Sequence, residues 1–450
     1  MAHVEESGSN DVPVSASGVL WSPGYRSYAL ILLMLIYTIN FVDRQIVNIL
    51  AEPIKHEFDL ADWQIGLLGG LAFALFYVTL ALPIARYAER GNRAMIISVS
   101  VAVWSVCTAL CGFATSYTQL LLARIGVGVG EAGCSPAAHS LISESVPRER
   151  RAASLAFYQL GSPLGGLLGL AVGGLVASAF GWRAAFLIVG IPGIVFAVVT
   201  ILTLRDPRKK AALSGVTASK QIPLSEAMAI LRKKRSYWLV CFASGVKGII
   251  GYGQGIFIAS FFLRNHADAL ATLSAEYGLK PIGLVGIAVG LANGIGGLIG
   301  TYWGGIVTDR FARGSPAGYV TVPAIGSLVV IPFTAAMILA PSLAWALMFF
   351  LLQSLFAAVW PGAVYAVCQG VVPANMRATA SAIQLFIGNL TGLCIGPLAV
   401  GLLSDFFSGP MGMGPAEGIA WSLFWTSLVG LLAFYLFWRA RLYIAEDMEG

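Results

Sequence analysis

Charge is scarce in this chain. Of its 450 residues only 11% are Asp, Glu, Lys or Arg, against about 25% in a soluble globular domain. With 57% hydrophobic residues and a mean hydropathy of +0.79, that deficit excludes a soluble fold and leaves a polytopic membrane protein. Histidine is nearly missing, with four in the whole chain, and the six cysteines (Cys107, Cys111, Cys134, Cys241, Cys368 and Cys394) all fall inside apolar stretches. They have the spacing of neither metal ligands nor a disulfide framework, so they read as small buried hydrophobes, and no metal or organic cofactor is expected. A nucleophile–base pair and a nucleotide loop are lacking too, which argues against an enzyme. Residues 1–24 are polar, with no apolar core behind a basic start, and read as a disordered tail and not a cleavable leader.

Long apolar runs are what the chain has in abundance. Twelve are long enough to cross a bilayer, at 27–50, 64–85, 94–113, 118–141, 153–179, 183–203, 238–262, 281–303, 318–339, 342–367, 379–403 and 419–438. The expected fold is all-α, with twelve transmembrane helices and both termini on one side. With the amino terminus inside, 21 of the 28 Lys and Arg fall in inside loops and tails, four outside (Lys55, Arg183, Arg264, Lys280) and three within spans (Arg44, Arg124, Lys247). The positive-inside rule therefore makes both termini cytoplasmic. The net charge of +6 follows from those loops and calls for no nucleic-acid partner.

The longest inside loop, 204–237, separates a bundle at 25–203 from a second at 238–438, with a cytoplasmic tail at 439–450. Its composition is basic, and a helix from Ser225 into Arg232, Lys233, Lys234 and Arg235 suits the surface of an anionic leaflet. Two matches imply that the bundles are copies. Glu89, Arg90 and Arg93 follow the second span as Asp309, Arg310 and Arg313 follow the eighth, 220 positions later. Val146-Pro147 precedes Arg151-Ala152 as Val372-Pro373 precedes Arg377-Ala378, 226 positions later. Nearly equal offsets mark two pseudo-symmetric six-helix halves.

Inside the membrane, charge is a cost of roughly 2.5 to 3.5 kcal/mol per residue, so each retained charge needs a partner or a task. Asp43 and Glu131 are the only carboxylates deep within predicted spans. Arg124 and Glu131 lie about two turns apart on one helical face, and the depth of Asp43 along span one allows Arg124 to reach it. The expected arrangement pairs Arg124 with Asp43 or with Glu131, according to protonation. Arg44 projects about 100 degrees from Asp43 and is expected to hold another helix or an outer-gate group. Gly128, Gly130 and Gly133 match a dinucleotide fingerprint, but within a long apolar span they read as close helix contacts.

Span seven combines glycines with Lys247, Tyr252 and Gln254. Lys247 suits an anionic headgroup as a point charge, or it snorkels to the inner boundary. Tyr365, Gln369 and Asn389 line the carboxy-terminal half of a cavity or bond helix to helix. Pro163, Gly165 and Gly166 should bend span five. His139 reads as a packing or interfacial residue.

Between spans two and three, and again between eight and nine, the chain resembles the signature of the major facilitator superfamily. The first copy departs from it at Ala85, Glu89 and Asn92, while the second keeps Gly305, Asp309, Arg310 and Arg313. The resemblance implies that these charges latch the halves together on the inner side. Asn40-Phe41-Val42-Asp43-Arg44 together with Arg124, Gly128, Gly130, Glu131 and Ala132 resembles the spinster-type transporters, over essentially the whole chain. That similarity implies a major facilitator fold in a bacterial inner membrane. It also implies proton-coupled alternating access and a small amphiphilic, lipid-like substrate, sphingoid or lysophospholipid in class. An uncoupled facilitator and a multidrug or organic-anion exporter are the alternatives. Gly161-Ser162-Pro163 resembles part of an antiporter motif. Protons as the coupling ion, membrane lipids as surroundings and a monomeric state complete the expectation.

Overall fold

The computed structural model describes residues 21–147, 150–206, 224–373 and 376–449. Among them there are helices and no strands. Eleven helices are long and apolar enough to span a membrane. The twelfth crossing is the predicted span 118–141, and it is interrupted: Tyr117–Glu131 and Cys134–Ser145 are separate helices joined at Ala132 and Gly133. Neither piece reaches spanning length alone, but together they complete a chain of twelve crossings. The tenth crossing is broken in the same way, between Leu343–Ala357 and Pro361–Gly370. A third break follows from Pro163, which has no N–H to donate to the carbonyl four residues back. Span five accordingly divides into Arg151–Gln159 and Gly161–Phe180.

Three short helices lie outside the crossings. Leu224–Leu231 is a helix of the linker, and it packs on protein: Ala227 and Leu231 are buried among Tyr237, Val367 and Cys368 of the second half. Most of the basic run that precedes it (Arg208, Lys209, Lys210, Lys220) lies outside the described residues, as do residues 1–20 of the amino-terminal tail. The carboxy-terminal helix Ile444–Glu449 is tied to the start of span seven, where the Asp447 carboxylate accepts from Ser236 N at 2.7 Å and Oγ at 2.6 Å. Ala267–Tyr277 joins spans seven and eight at the opposite end, an element that the hydropathy pattern did not suggest.

The apolar core is distributed unevenly along the membrane normal. At the end distal to the termini one cluster runs through both halves, joining Ile46, Ile49 and Leu50 of span one to Phe261, Val285 and Val400 of spans seven, eight and eleven. Toward the termini it separates into a cluster around Trp104 and Tyr158, of first-half residues with Leu393 of span eleven, and a second-half cluster around Tyr237 and Val367. Apolar burial is worth about 25 cal/mol per Å2. The halves are therefore sealed to one another distally and packed individually at the termini end.

Candidate functional site

Glycine creates the close contacts that bring the charged residues of the first half together. A Cβ on Gly128 would stand 2.4 Å from the Phe73 carbonyl oxygen, and one on Gly130 would stand 2.5 Å from Trp104 N. Spans two, three and four thus meet backbone to backbone, the helix-contact role expected for these glycines. Arg124 and Glu131 are thereby carried to the centre of the half, each 1% exposed.

Two ion pairs result. Arg124 Nη1 lies 3.4 Å from Asp43 Oδ1, and Thr108 Oγ1 donates to the other carboxylate oxygen. Arg44 Nε donates to Glu131 Oε2 at 2.7 Å. The second pair answers a question left open by the sequence: Arg44 does hold another helix, and the group it holds is Glu131, which leaves Arg124 to Asp43. A buried pair of this kind is costly to break, at about 3 to 5 kcal/mol when one partner is removed. Glu131 Oε1 and Arg124 Nε have no hydrogen-bond partner among the described residues, so each pair keeps one polar atom uncommitted.

Arg44 also lies within electrostatic reach of the second half, through Tyr252. Its guanidinium sits 4.5 Å from the Tyr77 ring centroid, 5.1 Å from Phe73 and 5.3 Å from Phe41, an aromatic collar that favours a cation. Tyr37 and Tyr77 of the first half and Tyr252 and Tyr365 of the second lie within electrostatic reach of one another, and Arg44 lies within reach of Tyr37, Tyr77 and Tyr252. Tyr252 donates to Asn389 Oδ1 at 3.3 Å. Tyr252, Tyr365 and Asn389 were singled out in the sequence, but Tyr37 and Tyr77 were not, although Tyr37 lies on one helical face with Phe41 and Arg44, and Tyr77 one turn from Phe73.

Other expected positions lie elsewhere. Gln254 is 5% exposed and bonded to Leu423 O and Gln353, so it joins helices within the second half and does not line the interface. Gln369 is exposed and donates to Ser381. Lys247 is 4% exposed and lies about 18 Å of helix beyond Arg235, too deep to snorkel, with no ion pair or hydrogen bond among the described residues. His139 is buried against the Tyr158 ring at 5.3 Å. Gly165 lies against the Thr38 carbonyl, while a side chain at Gly166 would meet nothing.

Among the described residues, the charges expected at the inner latch make no ion pair between the halves in this conformation. Arg93 is fully buried and bonded to Asp206, just beyond span six, at 2.8 Å and to Glu144 of span four at 3.0 Å. Asp309, Arg310 and Arg313 are exposed, and the side chains of Glu89 and Arg90 lie outside the described residues. The ionic closure between the halves is at the other end. Arg264 of span seven binds Glu52 and Asp62 of spans one and two at 2.8 to 2.9 Å, with Lys55 2.5 Å from Asp62. Asp405 of span eleven accepts from the backbone of Asp62 at 2.9 Å and of Trp63 at 2.8 Å, capping in trans the helix Asp62–Gly69. Sequence patterning missed the clamp because charges at span ends look like ordinary loop anchors.

Comparison with known proteins follows the same outline. A family described as Major Facilitator Superfamily matches residues 33–397. An MFS-type efflux pump of Mycolicibacterium smegmatis (strain ATCC 700084 / mc(2)155) is 31% identical over 414 residues, covering 91% of this chain and 92% of its own. The sphingosine-1-phosphate transporter SPNS2 of Danio rerio is 26% identical over 377 residues, covering 82% and 74%. Among solved structures, a bacterial homolog to the human lysosomal transporter Spinster, in an inward-facing and unoccupied conformation, superposes with a TM-score of 0.83 at 32% identity. That match covers 95% of this chain and 99% of the other.

Proposed function

Because the chain belongs to the major facilitator superfamily and resembles its spinster-type transporters, we propose that it is a proton-coupled secondary active transporter of an anionic, amphiphilic, lipid-like substrate. The observation that carries this reading is the buried Arg44–Glu131 pair, within electrostatic reach of Tyr252 of the second half. One guanidinium serves either of two anions there. An acidic headgroup drawn to Arg44 competes with Glu131 for it. A bare carboxylate in that enclosed setting is far costlier than a carboxylic acid, so loss of the cation and gain of a proton by Glu131 go together. Asp43 and Arg124, held by Thr108, are the second pair through which the change passes to spans three and four.

Alternating access supplies the movement. The distal clamp of Arg264 with Glu52 and Asp62, together with the core that seals that end, supports a conformation open toward the termini, which the positive-inside count places in the cytoplasm. Lys247, without an ion pair among the described residues and at mid-depth in span seven, is the second cation available to an anionic headgroup. The aromatic collar suits an apolar chain beside it. A second reading, export of amphiphilic drugs, is favoured by the 31% identity to the mycobacterial efflux pump.

Reconstituted liposomes separate these readings. Labelled lysophospholipid or sphingoid phosphate should accumulate under an imposed pH gradient. Glu131→Gln should lower that accumulation by about 100-fold, the order expected when a proton-transferring group is lost, with binding retained. The orientation of the effective gradient tells exchange from shared passage. Gradient-independent uptake that Glu131→Gln leaves unchanged would overturn proton coupling, and accumulation of drugs but not of lysolipids would favour the second reading.

A further inference from the structure

A basic recess lies away from the transport pathway, at the termini end of the second half. Span twelve ends at Ala440, where its apolar run stops, and the following turn brings Arg441 and Leu442 against Ala317 at the start of span nine. With Trp438 and Arg439 these residues line a cavity of about 350 Å3. The geometry points to a binding site for the phosphate of an anionic membrane phospholipid. Guanidinium groups supply the charge: Arg441 is stacked 4.1 Å over the Trp438 ring, and Arg439 lies 6.0 Å from the Tyr435 ring.

Neither arginine has an ion pair among the described residues, and Arg441 Nε is buried without a hydrogen-bond partner. A stacked guanidinium keeps its N–H edge free in the ring plane, the orientation that grips a phosphate through two parallel bonds. The start of the span-nine helix beside them adds the positive end of its dipole. The apolar wall fixes the source of the phosphate. Trp438 is 44% exposed and Leu442 is 70% exposed at the boundary of the spanning run, the placement of an interfacial aromatic next to acyl chains. A soluble anion would use the arginines and leave that wall without a function. A two-chain phospholipid uses both, as basic pockets at this depth do.

The test is native mass spectrometry of the full chain, delipidated in detergent and titrated with phosphatidylglycerol or phosphatidylcholine. Wild type should hold phosphatidylglycerol about 10-fold more tightly, and the Arg439→Gln/Arg441→Gln variant should lose that preference while eluting as the same folded species. Arg439→Lys/Arg441→Lys, which keeps the charge and loses the fork, should retain part of the preference. Equal binding of both lipids by wild type would overturn the proposal, as would an unchanged preference in the Gln variant. Displacement of the lipid by millimolar inorganic phosphate would overturn it in favour of a soluble anion.

Discussion

The two halves share a backbone and differ in their chemistry. Positions 226 apart correspond, and the break in the fourth crossing at Ala132 and Gly133 has its counterpart at Ala358 and Val359 in the tenth. The charges have no such counterparts: Arg124 corresponds to Phe350 and Glu131 to Ala357. At mid-membrane the first half is held by two buried ion pairs, Arg44 with Glu131 and Arg124 with Asp43. Its partner uses neutral contacts in the same setting, a chain from Leu423 O through Gln254 and Gln353 to Thr334. The comparison teaches that the helix break is a property of the repeated fold, since both copies keep it. The ion pairs belong to one half only, so packing of the fold does not require them.

Arg124→Ala tests the comparison most severely. It leaves Asp43 buried without its cation and should lower stability by about 3 to 5 kcal/mol, read by denaturant titration in detergent, with Asp43→Ala in the same chain recovering most of the loss. At the corresponding position Phe350→Leu should cost less than about 1.5 kcal/mol. If both cost the same, the charges are ordinary packing.

Arg264→Ala comes next. It strips Glu52 and Asp62 of their shared cation at the distal seam, and should shift the balance between conformations by about 3 kcal/mol toward opening there. Spin-label distances across that end between sites on the two halves should lengthen and broaden. Unchanged distances would mean that the apolar core alone holds the seam.

Gly130→Ala should cost about 2 kcal/mol by forcing spans three and four apart, because its Cβ has only 2.5 Å to Trp104 N. The corresponding residue, Phe356, sits in a helix contact of a different kind, stacked on Phe333 at 5.5 Å. Smallest of all should be the paired replacement Gln254→Leu with Gln353→Leu. Removing both ends of a neutral hydrogen bond is close to neutral, whereas Gln353→Leu alone orphans Gln254 Oε1 and should cost about 1 to 3 kcal/mol. Transport should survive the double replacement if the second-half network is structural.

The fold was readable from one-dimensional signals because the bilayer sets the length of every crossing. Those signals extended to the site where rarity is informative: Asp43, Arg44, Arg124 and Glu131 stand out because charge is expensive in hydrocarbon. Span four read as continuous because Ala132 and Gly133 are as apolar as their neighbours. Only the backbone hydrogen bonding shows the interruption there, since both residues keep right-handed helical dihedrals. By itself the sequence determined the number of crossings, their duplication and which charges must lie within them. Tertiary structure decided which charge meets which. Arg44 to Glu131, Arg124 to Asp43 and Arg264 to Asp62 join residues 87, 81 and 202 positions apart. Coulomb energy depends on distance in space, and only packed helix faces fix that distance.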